Sequence, residues 1–155
     1  MMWISLIILL SYIIYVIAEV GITPTLSESF YRVKYKWLFT LALYGAGFTL
    51  LPEWLNISED FQFLAFFACA ALCFIGASPA FKEGLSRKVH IGGLIVCIIT
   101  LLLWCILHHL IWVPIIAATI GGLLSLKFKN VWGFIMEAAA FATAYIVIAI
   151  SKYTI

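Results

Sequence analysis

VHIGGLIVCIITLLLWCILH, residues 89–108, contains no Asp, Glu, Lys or Arg. A run of about 20 such residues is what an α-helix needs to cross the ~30 Å hydrocarbon core of a bilayer. Backbone amides there have no water to bond, so the segment must be helical. Working outward from it, five further apolar segments appear at 4–20, 37–51, 61–77, 112–126 and 131–150. The expected fold class is all-α, a polytopic transmembrane bundle of about six spans forming one domain over residues 1–155. Pro52-Glu53 and Ser78-Pro79 are read as stops for the second and third segments. Residues 112–126 are short enough to be re-entrant instead. The turn 108–111 is so brief that segments four and five must form a tight antiparallel hairpin.

The composition agrees. Of 155 residues, 66% are hydrophobic and 10% charged, whereas a soluble domain carries about 25% charged residues. Function is therefore expected within the bundle or in its short loops. No basic cluster is interleaved with polar surface, which argues against nucleic acid as a partner. The N-terminal Met1-Met2-Trp3-Ile4 lacks the basic region of a cleaved signal peptide, and no small-x-small site precedes Glu19, so the first segment reads as a retained helix. High isoleucine, lysine and aromatic content fits an AT-rich microbial or phage genome, with the bacterial inner membrane as the expected location.

Six alternating crossings would put Arg32, Lys34, Lys36, Lys82, Arg87, Lys88, Lys127 and Lys129 on one side, leaving only Lys152 of the basic residues on the other. The positive-inside rule then makes the basic loops cytoplasmic and both termini non-cytoplasmic. Trp37 and Trp132 fall at the inner boundary and Trp3, Trp54 and Trp112 at the outer one, as an interfacial belt requires. The similar boundaries at 34–37 and 127–132 reflect shared interface chemistry rather than a repeat.

Glu137 is the most informative residue. It stands about two turns into the last segment, where an ionisable group costs roughly 2.5–3.5 kcal/mol on insertion scales and therefore seeks protein or trapped water. Gly133, Ala140 and Ala144 share its face and invite close approach of another helix. His90, one residue into segment four, and Glu19, near the end of segment one, complete a candidate substrate- or ion-binding cluster. The bland reading makes Glu137 a hydrogen-bonded packing residue and His90 and Glu19 interfacial ones.

The loop 21–36 mixes Ser27 and Ser29 with Tyr31 and Arg32, a pattern expected to lie in the headgroup layer, with Ser27 or Ser29 capping a short helix. Lys82 and Arg87 in the next basic loop are further candidates for headgroup contact. A serine paired with His90 is the one nucleophilic arrangement imaginable on this side. Cys69, Cys73, Cys97 and Cys105 lack the spacing of a metal site, so neither a metal nor a cofactor is expected. His108 and His109 point about 100° apart and make a poor chelating pair.

Membrane-embedded Ser, His and acid superficially resemble the alkaline-ceramidase and adiponectin-receptor superfamily of zinc-dependent membrane amidases. That family places histidines near its last helix together with an intramembrane Asp, and here both are missing, so no family is assigned. Walker, GxSxG and HExxH motifs are also absent, and no catalytic residue is named. The leading expectation is a small transport or channel-type protein with its polar site around Glu137. The alternatives are a lipid-binding protein or lipid-directed hydrolase with a cytoplasmic-face site, and a non-catalytic interaction or accessory protein. Membrane lipids are the expected partners, with a homo-oligomer or another membrane protein as the protein-level ones. Glycine and alanine stripes at Gly45/Gly47, Gly92/Gly93, Gly121/Gly122 and Ala138–Ala140 would allow close helix contact within or between protomers.

Overall fold

A computed structural model describes residues 1–81 and 83–154, with side chains at all of these except 80, 83, 84 and 154. Lys82, expected to meet headgroups, lies outside the described residues. The chain is a helical bundle with no strand among the described residues. Its helices are α1 (Met2–Val20), the short α2 (Ser29–Arg32), α3 (Trp37–Ile57), α4 (Gln62–Ala77), α5 (Glu83–Leu107), α6 (Trp112–Lys127) and α7 (Trp132–Thr154). With their adjoining 3₁₀ turns, α1, α3, α4, α5 and α7 provide five helices long and apolar enough to span a membrane. At 16 residues, α6 is about 24 Å long at 1.5 Å per residue, short of a full hydrocarbon core.

The exterior is as apolar as the interior. Ile7, Ile14, Phe48, Phe66, Leu123 and Leu126 all face outward, the all-round hydrophobicity of helices solvated by lipid. Trp3, Trp37, Trp112 and Trp132 are exposed, as belt residues must be, but Trp54 is not. It packs edge-on against Trp104 at 5.9 Å in the core, and Trp104 Nε1 donates to Ser58 Oγ at 2.9 Å. The hydrophobic payload of two indoles outweighs their preference for the interface once one N–H finds a partner. His108 stacks on Trp104 with centroids 4.1 Å apart. His109 takes the left-handed φ of 58° that closes the α5–α6 turn.

Two boundaries differ from expectation. Pro52 does not stop α3, which runs on to Ile57. A proline inside a membrane helix removes one backbone bond, and tertiary contacts can hold the next turn in place. Here Glu53 pairs with the Met1 amine at 2.7 Å and with Lys152 at 2.5 Å, while Trp54 is anchored in the core. In the other case, α5 starts at Glu83, six residues before the apolar run begins. Its polar first turns continue the helix because no proline interrupts 83–89 and Leu85, Arg87 and Lys88 are good helix formers that offset Gly84.

Packing is sequential. α1 lies on α3, α3 on α4, α4 on α5, and α6 on α7, whereas α5 touches α6 and α7 only sparingly. Buried hydroxyls tie the layers across. Ser5 Oγ donates to the Ala46 carbonyl at 2.8 Å and meets the Tyr145 hydroxyl at 2.7 Å, joining α1, α3 and α7. Thr40 Oγ1 donates to the Gly76 carbonyl at 2.7 Å, joining α3 and α4. Part of the glycine stripes serves contacts inside the chain: Gly47 faces Cys73, and Gly121 faces Met136 and Ala139, whereas Gly122 meets nothing within 4 Å.

Gly93 is the tightest of the helix-on-helix approaches. A Cβ there would lie 2.9 Å from Ile75 Cγ1 and 3.1 Å from the Ala71 carbonyl oxygen, while one at neighbouring Gly92 would meet nothing within 4 Å. Gly93→Ala should therefore cost about 1–3 kcal/mol through overpacking, and Gly92→Ala should be neutral or slightly stabilising. Thermal unfolding in mild detergent, followed by size-exclusion fluorescence, checks the contrast. Equal melting temperatures for the two variants would contradict this packing.

Candidate amphiphile-binding site

The weak contact between α5 and the α6–α7 hairpin leaves a gap, and the gap is a cavity of about 950 Å³. Its walls are chemically divided. Toward the basic-loop end stand Ser27, Glu28, Ser86, Arg87, His90 and Glu137; the remainder is largely apolar, with Ile91, Leu94, Ile98, Leu102, Ala118 and Ala140 among its lining. Along α5 the lining runs from Ser86 to Leu102, about 24 Å of helix. Pro114, in the first turn of α6, lines the far end.

The polar end is roofed by the chain that follows α1. Gly21 leaves that helix with φ 76°, a left-handed turn that glycine makes without steric cost. The segment beyond it folds inward, burying Thr23, Leu26, Ser29 and Val33, so it does not simply lie in the headgroup layer. Three contacts hold it. The Tyr12 hydroxyl meets Ser29 Oγ at 2.6 Å, with Ser29 also donating to the Leu26 carbonyl. The Phe134 N–H donates to the Pro24 carbonyl at 2.9 Å. The Glu137 carboxylate accepts the Leu26 N–H at 2.5 Å and the Ser27 hydroxyl at 3.1 Å.

Glu137 thus has its partners in a loop, and the small-residue face around it receives backbone as well as helix. A Cβ at Gly133 would lie 2.6 Å from Thr25 Cγ2 and 2.9 Å from the Pro24 carbonyl oxygen. Neither Ser27 nor Ser29 caps α2. Thr25 Oγ1 instead accepts the Glu28 N–H at 3.0 Å, Ser27 serves Glu137, and Ser29 is buried within the first turn.

The candidate cluster is only partly assembled. His90 and Glu137 line the same cavity, but Glu19 is not part of its wall and accepts the Lys34 N–H at 3.0 Å near the end of α1. Arg32 faces outward and pairs with Glu28, while the exposed Tyr31 and Arg87 border the cavity. The hydroxyl beside His90 is that of Ser78, 3.2 Å from Nδ1. Ser78 was not singled out in the sequence, although its place twelve residues before His90, across the α4–α5 connection, was a usable signal. Ser78 is buried and also bonds the Ile75 carbonyl at 2.8 Å. No carboxylate among the described residues hydrogen-bonds His90, so the pair lacks the orienting third group of a hydrolytic triad. The described residues also contain no group of three or more His, Cys, Asp or Glu placed to hold a metal.

No protein-family model, curated protein or solved structure matches the chain.

The roof depends on Glu137 and Gly133. Glu137→Ala leaves two donors without their acceptor, a cost of roughly 1–3 kcal/mol for each that stays buried. Gly133→Ala drives a methyl into the loop backbone. Hydrogen–deuterium exchange should show faster exchange, by about tenfold or more, over residues 22–31 in both variants, with the α3–α4 contact unchanged. Wild-type protection of that loop in both would refute its docking on α7.

Proposed function

We propose that this protein binds an amphiphilic lipid within the bilayer, its chain in the gap between α5 and the α6–α7 hairpin and its head under the 21–31 roof. The observation that carries the reading is the division of the cavity, polar at one end and apolar along the rest. A polar solute would have to shed water along some 20 Å of hydrocarbon wall. An amphiphile matches both parts at no such cost. The volume lies at the upper end of ordinary ligand sites, about 300–1,000 Å³.

The accompanying membrane arrangement is also a proposal. The five long helices span, α6 completes the sixth crossing with local thinning or snorkelling at its ends, and the basic loops face the cytoplasm with both termini opposite. Two features support it. The Met1 amine, Glu53 and Lys152 meet at one end of the bundle, and the other described basic residues lie in or beside the loops toward the opposite end. Transport around Glu137 is the second reading. It is favoured by the reach of one cavity from Arg87 to Pro114 and disfavoured by the two donors already occupying the Glu137 carboxylate.

Native mass spectrometry from mild detergent should show a retained lipid. Filling the apolar part with Ala118→Phe or, independently, Ala140→Phe should remove it while leaving the protein monodisperse. Lipid retention unaffected by both fillings would place binding on the outer surface and refute this reading. For topology, single cysteines replacing Lys34 and Lys127 should react with an impermeant maleimide from the same side, and one replacing Lys152 from the other. Labelling of all three from one side would overturn the arrangement.

A further inference from the structure

Building on the proposed lipid-binding role, we infer that the ligand's head is anionic, a carboxylate or a phosphate, and that Arg87 is its principal contact. The inference comes from the charges at the polar end. Among the described side chains two carboxylates stand there, and both have partners: Glu137 accepts from Leu26 and Ser27, and Glu28 is paired with Arg32. Arg87 has no ion-pair or hydrogen-bond partner among the described residues, and it borders the mouth of the cavity. Ser86 next to it also lines the cavity. His90, one helical turn further along α5, has Nδ1 engaged by Ser78 and its other ring nitrogen available.

The donors left for a ligand are therefore the Arg87 guanidinium and the Ser86 hydroxyl. Ser78 gives its proton to the Ile75 carbonyl, so His90 donates Nδ1–H to Ser78 and its neutral ring presents only the Nε2 lone pair. A guanidinium holds a carboxylate or a phosphate through two parallel N–H bonds, which fixes orientation as well as charge. Immediately below this end the wall becomes apolar, from Ile91 through Leu94 and Ile98 to Leu102, about 17 Å of helix. That distance exceeds one leaflet's half of a ~30 Å core. A head at Arg87 with a single acyl chain lying along α5 matches this layout.

The test uses the full-length protein in mild detergent, titrated by native mass spectrometry with three single-chain amphiphiles: oleate, oleoyl-lysophosphatidate and oleoyl-lysophosphatidylcholine. One or both anionic lipids should bind about tenfold or more tightly than the choline lipid. The tighter of the two then identifies the source as a carboxylate or a phosphate. Arg87→Gln should lower anionic affinity about tenfold, Arg87→Lys should lower it less, and Lys88→Gln, which lies outside the cavity wall, should match the wild type. Equal binding of all three, or preference for the choline lipid with its cation against Glu137, would overturn the head assignment. In that case Ala140→Phe still abolishes binding and the cavity reading survives. Absence of binding that Ala118→Phe or Ala140→Phe can abolish would instead remove both inferences together.

Discussion

The acceptance of the Leu26 N–H by the Glu137 carboxylate is the interaction on which the interior depends. Without it, an inward-folded loop would carry unpaired amide groups into a region with no water, and a carboxylate within α7 would have no donor. Each is costly alone, and each supplies what the other lacks. The pairing brings the loop against Gly133, lays it over part of the gap between α5 and the α6–α7 hairpin, and gives the cavity one polar end. The polar residues of the bundle then divide into two kinds. Ser5, Thr40 and Ser58 bridge helices and hold the layers together, whereas Arg87 and Ser86 border the cavity at its mouth.

How much of this was legible in the sequence follows from which forces act locally. Helix positions were legible because a segment in hydrocarbon has little choice but to be helical, and the apolar runs have nearly the right lengths. The α3 boundary was misread because the local effect of Pro52 is smaller than the tertiary hold on Glu53 and Trp54. The start of α5 was misread because charge at 83–88 was taken for loop, although charge only marks where hydrocarbon ends.

The site was legible in its anchor and not in its assembly. Glu137 stood out because a carboxylate there demands a partner, but the partner was sought on another helix. Gly133, four residues before it, carried the needed clue: a small residue one turn from a carboxylate can admit a backbone as readily as a helix. Glu19 was grouped with His90 and Glu137 by depth alone, and depth does not say which side of the bundle a residue occupies. Ser78 was overlooked because its serine-proline pair reads as a helix stop.

The clasp at Glu53 has a mechanical consequence. It joins the first turn of α1 and the last turn of α7 to α3, and Ser5 with Tyr145 adds a second tie about a turn further in. With the Glu137 pairing at its other end, α7 is thereby fastened at both ends, while the α6–α7 hairpin stays free of α5 along much of its length. A guest entering sideways between α5 and the hairpin would therefore meet a slot braced at top and bottom, with its head beside the guanidinium.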